Sequence, residues 1–220
     1  MIKQWAISVK LQVKKQPLKI RDKKITSKRL ISAVGSVLAK KGFTGVGVNA
    51  VAREAGVDKV LIYRYFGGLE GLIAAFGKEG GFWPSALELA GGDLQKFSQM
   101  PLDERLSKFG SNYFQALKKR PVTQAVMAWE MVETNGLTKA LEQIREESIM
   151  EFFNMFFIKD ELHFDLQAIV MLFGAGISYL VIRSNHIDFY GGLELNSDQG
   201  WKRIEKAFEN ITSGILNSRY

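Results

Sequence analysis

The chain has no cysteine among its 220 residues, two histidines (His163 and His186) and only four prolines. Without thiols there is no disulfide framework and no Cys-ligated zinc, and two histidines offer little to a His-based metal site. The lack of thiols also fits a reducing compartment. There is no Gly-rich phosphate loop and no metal-ligand cluster, which argues against an enzyme. Glu142, Glu146 and Glu147 fall on one predicted helix and read as its solvated face. No cofactor and no metal are expected. Long apolar runs are missing too. The longest, Ala168–Ile182, spans 15 residues before Arg183, short of the ~18 needed for a membrane span, and reads as a buried helix. The N-terminus lacks the basic, apolar and cleavage regions of a signal peptide. A soluble, cytoplasmic protein without a membrane partner is expected.

What is present is basic, and unevenly so. Residues 1–70 hold 15 Lys and Arg against 4 Asp and Glu, a net of +11, whereas residues 71–220 hold 15 against 19, a net of −4. A basic module on a mildly acidic body is the footprint of a nucleic-acid reader with a separate sensing or assembly domain. The length suits one large domain or a small one joined to a larger one, and 46% hydrophobic residues are ample for a core.

Residues 48–66 carry the clearest local pattern. Val48, Val51, Ala52 and Ala55 recur at helical spacing, so a first short helix can bury one face. Gly56 follows where the chain must turn sharply, and Asp58 is placed to cap a second helix. In that helix Leu61, Ile62 and Phe66 point inward, leaving Lys59, Val60, Tyr63, Arg64 and Tyr65 largely outside. Two short helices joined by a glycine turn form a helix-turn-helix, whose second helix enters the DNA major groove.

Ahead of this motif, Thr26 is the expected cap of a helix reaching about Lys41, with Leu30, Ala33, Val34, Val37 and Leu38 inward, Gly42 at its end and Phe43 over the small core. The series Thr26, Gly42-Phe43, Val51-Ala52-Arg53-Glu54-Ala55-Gly56-Val57 and Ile62-Tyr63-Arg64-Tyr65-Phe66 resembles the N-terminal domain of the TetR (tetracycline-repressor-like) family of transcriptional regulators. The resemblance covers residues 26–76. It implies an all-α protein: a three-helix DNA-binding domain (26–76) followed by a larger helical ligand-binding and dimerisation domain (77–220), with residues 1–25 as a basic extension. It implies DNA contacts from Thr44, Asn49, Lys59, Val60, Tyr63, Arg64 and Tyr65. By chemistry, Lys59 and Arg64 suit guanine O6 and N7, Asn49 adenine or a phosphate, and Val60 a thymine methyl. Arg53 and Glu54 read as a solvated pair. Two features depart from the family: Gly47 stands at a cap often held by Ser or Thr, and Leu69 stands where a phosphate-contacting lysine is common.

In the leader, Trp5, Ile7, Val9, Leu11 and Val13 alternate with mostly polar neighbours, a strand-like period, and Lys19–Lys24 are strongly basic. A disordered leader, a basic arm on phosphates and a strand docked on another chain all remain open. After Gly80 the pattern predicts helices near 101–118, 121–134, 137–157, 164–185 and 198–217, with Asn135-Gly136 and Gly191-Gly192 as breaks and no strand. The last two helices are the expected homodimer surface: residues 168–182 are apolar nearly all round, Gly174 and Gly176 permit close approach, and Trp201, Ile204, Phe208, Ile211 and Ile215 form a matching stripe. Phe114, Met127, Trp129, Met131, Phe152, Phe153, Phe156 and Tyr179 are the candidates for an adaptable apolar cavity holding a small-molecule effector. The leading function is a repressor that binds a palindromic operator as a homodimer and is released by an effector. The rival is a DNA-binding regulator without small-molecule response, controlled by a protein partner. A membrane-surface role for residues 1–24 lacks the helical amphipathicity it would need.

Overall fold

The computed structural model describes residues 17–79, 81–157 and 165–217, which fold into eleven α-helices and one minimal hairpin. The strand-like residues 5–13 lie outside the described residues. The first helix, α1 (Pro17–Lys41), starts nine residues before the expected cap at Thr26. Nothing between Pro17 and Thr26 breaks a helix, and proline is tolerated in a first turn whose N–H has no helical partner. The basic segment therefore continues the helix across residue 25.

Leu30, Val34 and Val37 of α1 are buried against α2 (Val48–Ala55) and α4 (Leu69–Glu79), with a one-turn 3-10 helix (Phe43–Gly45) between α1 and α2. The turn after α2 closes as the sequence predicts. Gly56 adopts a left-handed φ of 62°, its N–H reaching the Arg53 carbonyl at 3.1 Å and the Val57 N–H reaching the Ala52 carbonyl at 3.1 Å. That pairing satisfies carbonyls the helix end would otherwise orphan. Asp58 then accepts the Val60 N–H at 2.8 Å, starting α3 (Val60–Phe66).

The body is built from α5 (Ala86–Leu89), α6 (Leu94–Ser98), α7 (Leu102–Lys118), α8 (Pro121–Glu130), α9 (Gly136–Phe156), α10 (Leu166–Arg183) and α11 (Asp198–Asn217). Helix α7 is central and packs against α5, α8, α10 and α11. The sequence pattern had α8 running to 134. It stops at Glu130 because Asn135 is held extended as the N-cap of α9, its side chain accepting the Leu137 and Thr138 N–H groups at 2.9 and 3.1 Å. The Gly191-Gly192 break is the tip of a two-residue hairpin pairing Phe189–Tyr190 with Leu193–Glu194. Both glycines take positive φ, 56° and 78°, as a tight hairpin turn demands.

The N-terminal helices α1–α4, the head, share one hydrophobic cluster with the body. Helix α4 lies along α9, and a Cβ on Gly77 would come within 2.7 Å of Ile144 Cδ1. The Phe43 ring stacks on Trp129 at 6.0 Å between centroids. Helix α10 departs from expectation. It is not a buried helix: over its 18 residues mean hydropathy is 1.7, yet only one third is buried, and Leu172 is 73% exposed. By length and composition it could cross a membrane; its buried third instead packs on α7 and α8.

The corner between α5 and the start of α8 is held by Arg120, whose guanidinium donates to both oxygens of Glu88 at 2.8 and 2.5 Å and to the Gly81 carbonyl at 2.9 Å. This hydrogen bonding holds the Glu88 carboxyl below its usual range. A carboxylate with a depressed folded-state pKa stabilises the fold fully above its unfolded value and loses that contribution as pH falls through the folded one. Glu88→Gln should lower the melting temperature at pH 7 by an amount equivalent to at most about 1 kcal/mol, since the pair is partly exposed. The gap to wild type, followed by circular dichroism melts, should close as the pH is taken below the carboxylate range.

Candidate nucleic-acid interface and ligand cavity

Helix α3 is anchored by one fully buried side chain, Ile62, with Leu61 and Phe66 half-buried beside it. That anchoring turns the opposite face outward. Lys59 and Arg64 are exposed, Val60 is 59% exposed and Tyr63 is 56% exposed. Isolated apolar and aromatic surface of this kind, flanked by cations, is what a base-edge reader presents. Asn49 on α2 and Thr44 in the 3-10 turn are exposed as well. Tyr65 is half-buried, with the Lys23 ammonium 5.4 Å from its ring centroid. The helical extension thus brings a lysine of the leader onto a predicted DNA-facing tyrosine, which the sequence pattern alone did not reveal.

Two neighbouring groups are occupied otherwise than expected. Glu54 pairs with Lys40 at 2.6 Å instead of with Arg53. Leu69, standing where the family favours lysine, packs half-buried against the core.

In the body, α7, α8, α9 and α10 surround a cavity of about 430 Å³. Met127, Met131, Phe152 and Phe153 line it. Four other predicted lining residues do not. Phe114 stacks on Trp201 at 4.0 Å, between α7 and α11. Trp129 is turned toward Phe43. Phe156 packs edge-on against Phe97 at 5.0 Å. Tyr179 is exposed on the outer side of α10, beside Tyr190. Helical spacing places an aromatic on a helix but does not say which neighbour it meets.

The cavity also has polar stations that the sequence reading passed over. Ser178 donates to the Gly174 carbonyl at 2.7 Å, so its single proton is committed and the Tyr113 hydroxyl, 2.7 Å away, donates to Ser178. Burial pushes the Tyr113 pKa up to about 12, so the hydroxyl stays protonated. On another wall Arg145 donates to Glu130 and lies 6.0 Å from the Trp83 ring centroid. Burial pushes the Glu130 pKa up, against the pull of Arg145. A glutamate and an arginine on otherwise apolar helix faces were the available signals. Among the described residues no group of His, Asp and Glu is placed to hold a metal.

Residues 30–76 match the family model for bacterial regulatory proteins of the tetR family. No curated protein matches. Among solved structures, the fatty acid degradation regulator FadR from Bacillus halodurans is similar at 19% identity and a TM-score of 0.57, over 94% of this chain and 100% of that one. FadR from Bacillus subtilis, solved in complex with stearoyl-CoA, gives 19% and 0.57 over 87% and 99%. A tetR-family transcriptional regulator from Streptomyces coelicolor gives 16% and 0.55 over 88% and 81%. Likeness at this identity is likeness of fold: a helix-turn-helix head on a body that is helical but for one minimal hairpin.

The turn that aims α3 is testable. An alanine at position 56 would have to hold the left-handed conformation, and its Cβ would meet Arg29 Nη2, which now donates to the Ala55 carbonyl, at 3.2 Å. Gly56→Ala should cost about 1–2 kcal/mol of stability, read from urea unfolding.

Proposed function

We propose that the chain is a transcriptional regulator of the TetR family, a repressor that binds a palindromic operator as a homodimer and is released by a small molecule. The observation that carries this reading is the outward face of α3, where Lys59, Val60, Tyr63 and Arg64 are exposed together on a helix fixed by Ile62. Lys and Arg supply salt-dependent affinity for phosphates, and base-edge contacts from α3 supply selectivity. One such helix touches too few bases for useful specificity, so two are required.

The apolar outer side of α10 and α11 supports pairing. Leu172, Tyr179 and Ile211 are exposed there, and Gly176 has open space at its Cα atom, whereas Gly174 faces the other way and lines the cavity. A two-fold interface formed by these helices would cover the stripe and present two heads on one side. The cavity supports an effector, and the segment from Trp129 to Thr138 supports its link to DNA. Trp129 stacks on Phe43 of the head, and the Glu70 carboxylate lies over Gly136, while Glu130, Met131 and Thr138 line the cavity. A ligand that moves this segment has a mechanical route to the spacing of the heads, which is differential binding to two states. Such a repressor works in the cytoplasm, beside the chromosome.

In mobility-shift titrations with an operator selected from genomic fragments, Tyr63→Ala and Lys59→Ala should each weaken binding about 5- to 150-fold, as expected for lost groove contacts of about 1–3 kcal/mol. Full, selective binding by both variants would remove α3 as the reader. Leu172→Glu should give a monomer by light scattering and lose operator binding while retaining its helical circular dichroism spectrum.

A further inference from the structure

The cavity has a sign. Its charged lining residues are Glu130, Glu133, Glu142 and Arg145, three carboxylates to one guanidinium. Arg145 is already committed to Glu130. That leaves Glu133 and Glu142, both exposed, near the place where Met131, 62% exposed, meets solvent. A ligand therefore meets an acidic rim in front of an aromatic interior.

Glu130 itself is only half satisfied. Its Oε2 takes the Arg145 bond, but Oε1 is buried with no hydrogen-bond partner. An unpaired carboxylate oxygen in an apolar setting costs far more than one in water, and it can be met only by a donor. Burial and the charge of Glu142 both push the Glu130 pKa up, the direction that a further positive charge would reverse. Inside, the Trp83 ring offers a π-face that attracts cations, as it already attracts Arg145, while the Phe109 ring is stacked on Tyr113 and Phe152 and supplies apolar wall. The Trp83 indole N–H is likewise buried without a partner. It would take an oxygen on the ligand and does not discriminate between ligand charges.

We propose that this cavity selects a hydrophobic cation, an apolar or aromatic body carrying a protonated amine, over anionic acyl compounds such as the stearoyl-CoA in the complex of the Bacillus subtilis structural neighbour. A fatty acid carboxylate or the phosphates of coenzyme A would face Glu133 and Glu142 and bring no donor to Glu130. An ammonium brings both charge and donors. The assignment rests on the effector reading of the cavity made above.

The test is a matched series on the full chain at pH 7: dodecylammonium, laurate and lauroyl-CoA, each titrated calorimetrically below its micellar concentration. Dodecylammonium should bind at least tenfold tighter than either anion. The double variant Glu133→Gln/Glu142→Gln should lose about fivefold of that preference with an unchanged melting temperature. Equal or tighter binding of laurate or lauroyl-CoA overturns the proposal, and so does failure of all three to bind. Dodecylammonium binding that ignores the double variant also overturns it, by placing the ligand elsewhere, such as on the apolar side of α10. Operator retention is measured on the same samples, with DNA alone as control. Tight, glutamate-dependent binding without DNA release leaves the ligand class standing and removes the effector reading; tight anion binding with release does the reverse.

Discussion

The structure depends on the seat of α4 against α9. At Gly77 the two helices approach so closely that a single methyl group would meet Ile144. Phe43 and Trp129 stack beside the same junction. Because head and body share one buried cluster, α3 is not tethered by a loose linker, and its orientation is set by the packing of the body. Close-packed interiors transmit displacement instead of absorbing it. That is the physical condition under which a cavity in the body can influence a helix in the head.

The head was largely legible in the sequence because its constraints are local. Gly56 must turn left-handed, Asp58 must cap, and Ile62 must be inside for Lys59, Val60, Tyr63 and Arg64 to be outside. Each of these follows from spacing within a few residues. The length of α1 did not follow, because Thr26 is as good a cap as Pro17 is a first-turn residue, and sequence offers no way to weigh one against continuation through Lys19–Lys24.

The body was legible as helices but not as contacts. Phe114, Phe152 and Phe156 all sit on the right helices, yet only Phe152 faces the cavity. Which way a ring points depends on the crossing of α7, α9 and α11, information spread over residues far apart in the chain. Polar exceptions on apolar faces were the more informative signal. Tyr113, Ser178, Glu130 and Arg145 all reach the cavity wall, and a buried polar group needs a partner that an apolar one does not.

The exposed outer stripe of α10 would tie function to concentration if a second copy covers it. If a second copy is what shields Leu172 and Ile211 from water, then below the dissociation constant of the pair the number of two-headed molecules scales with the square of the chain's concentration. Halving synthesis would then quarter the supply competent for a two-site target. The threshold of such a switch would be set by how much of the protein the cell makes, independently of any ligand.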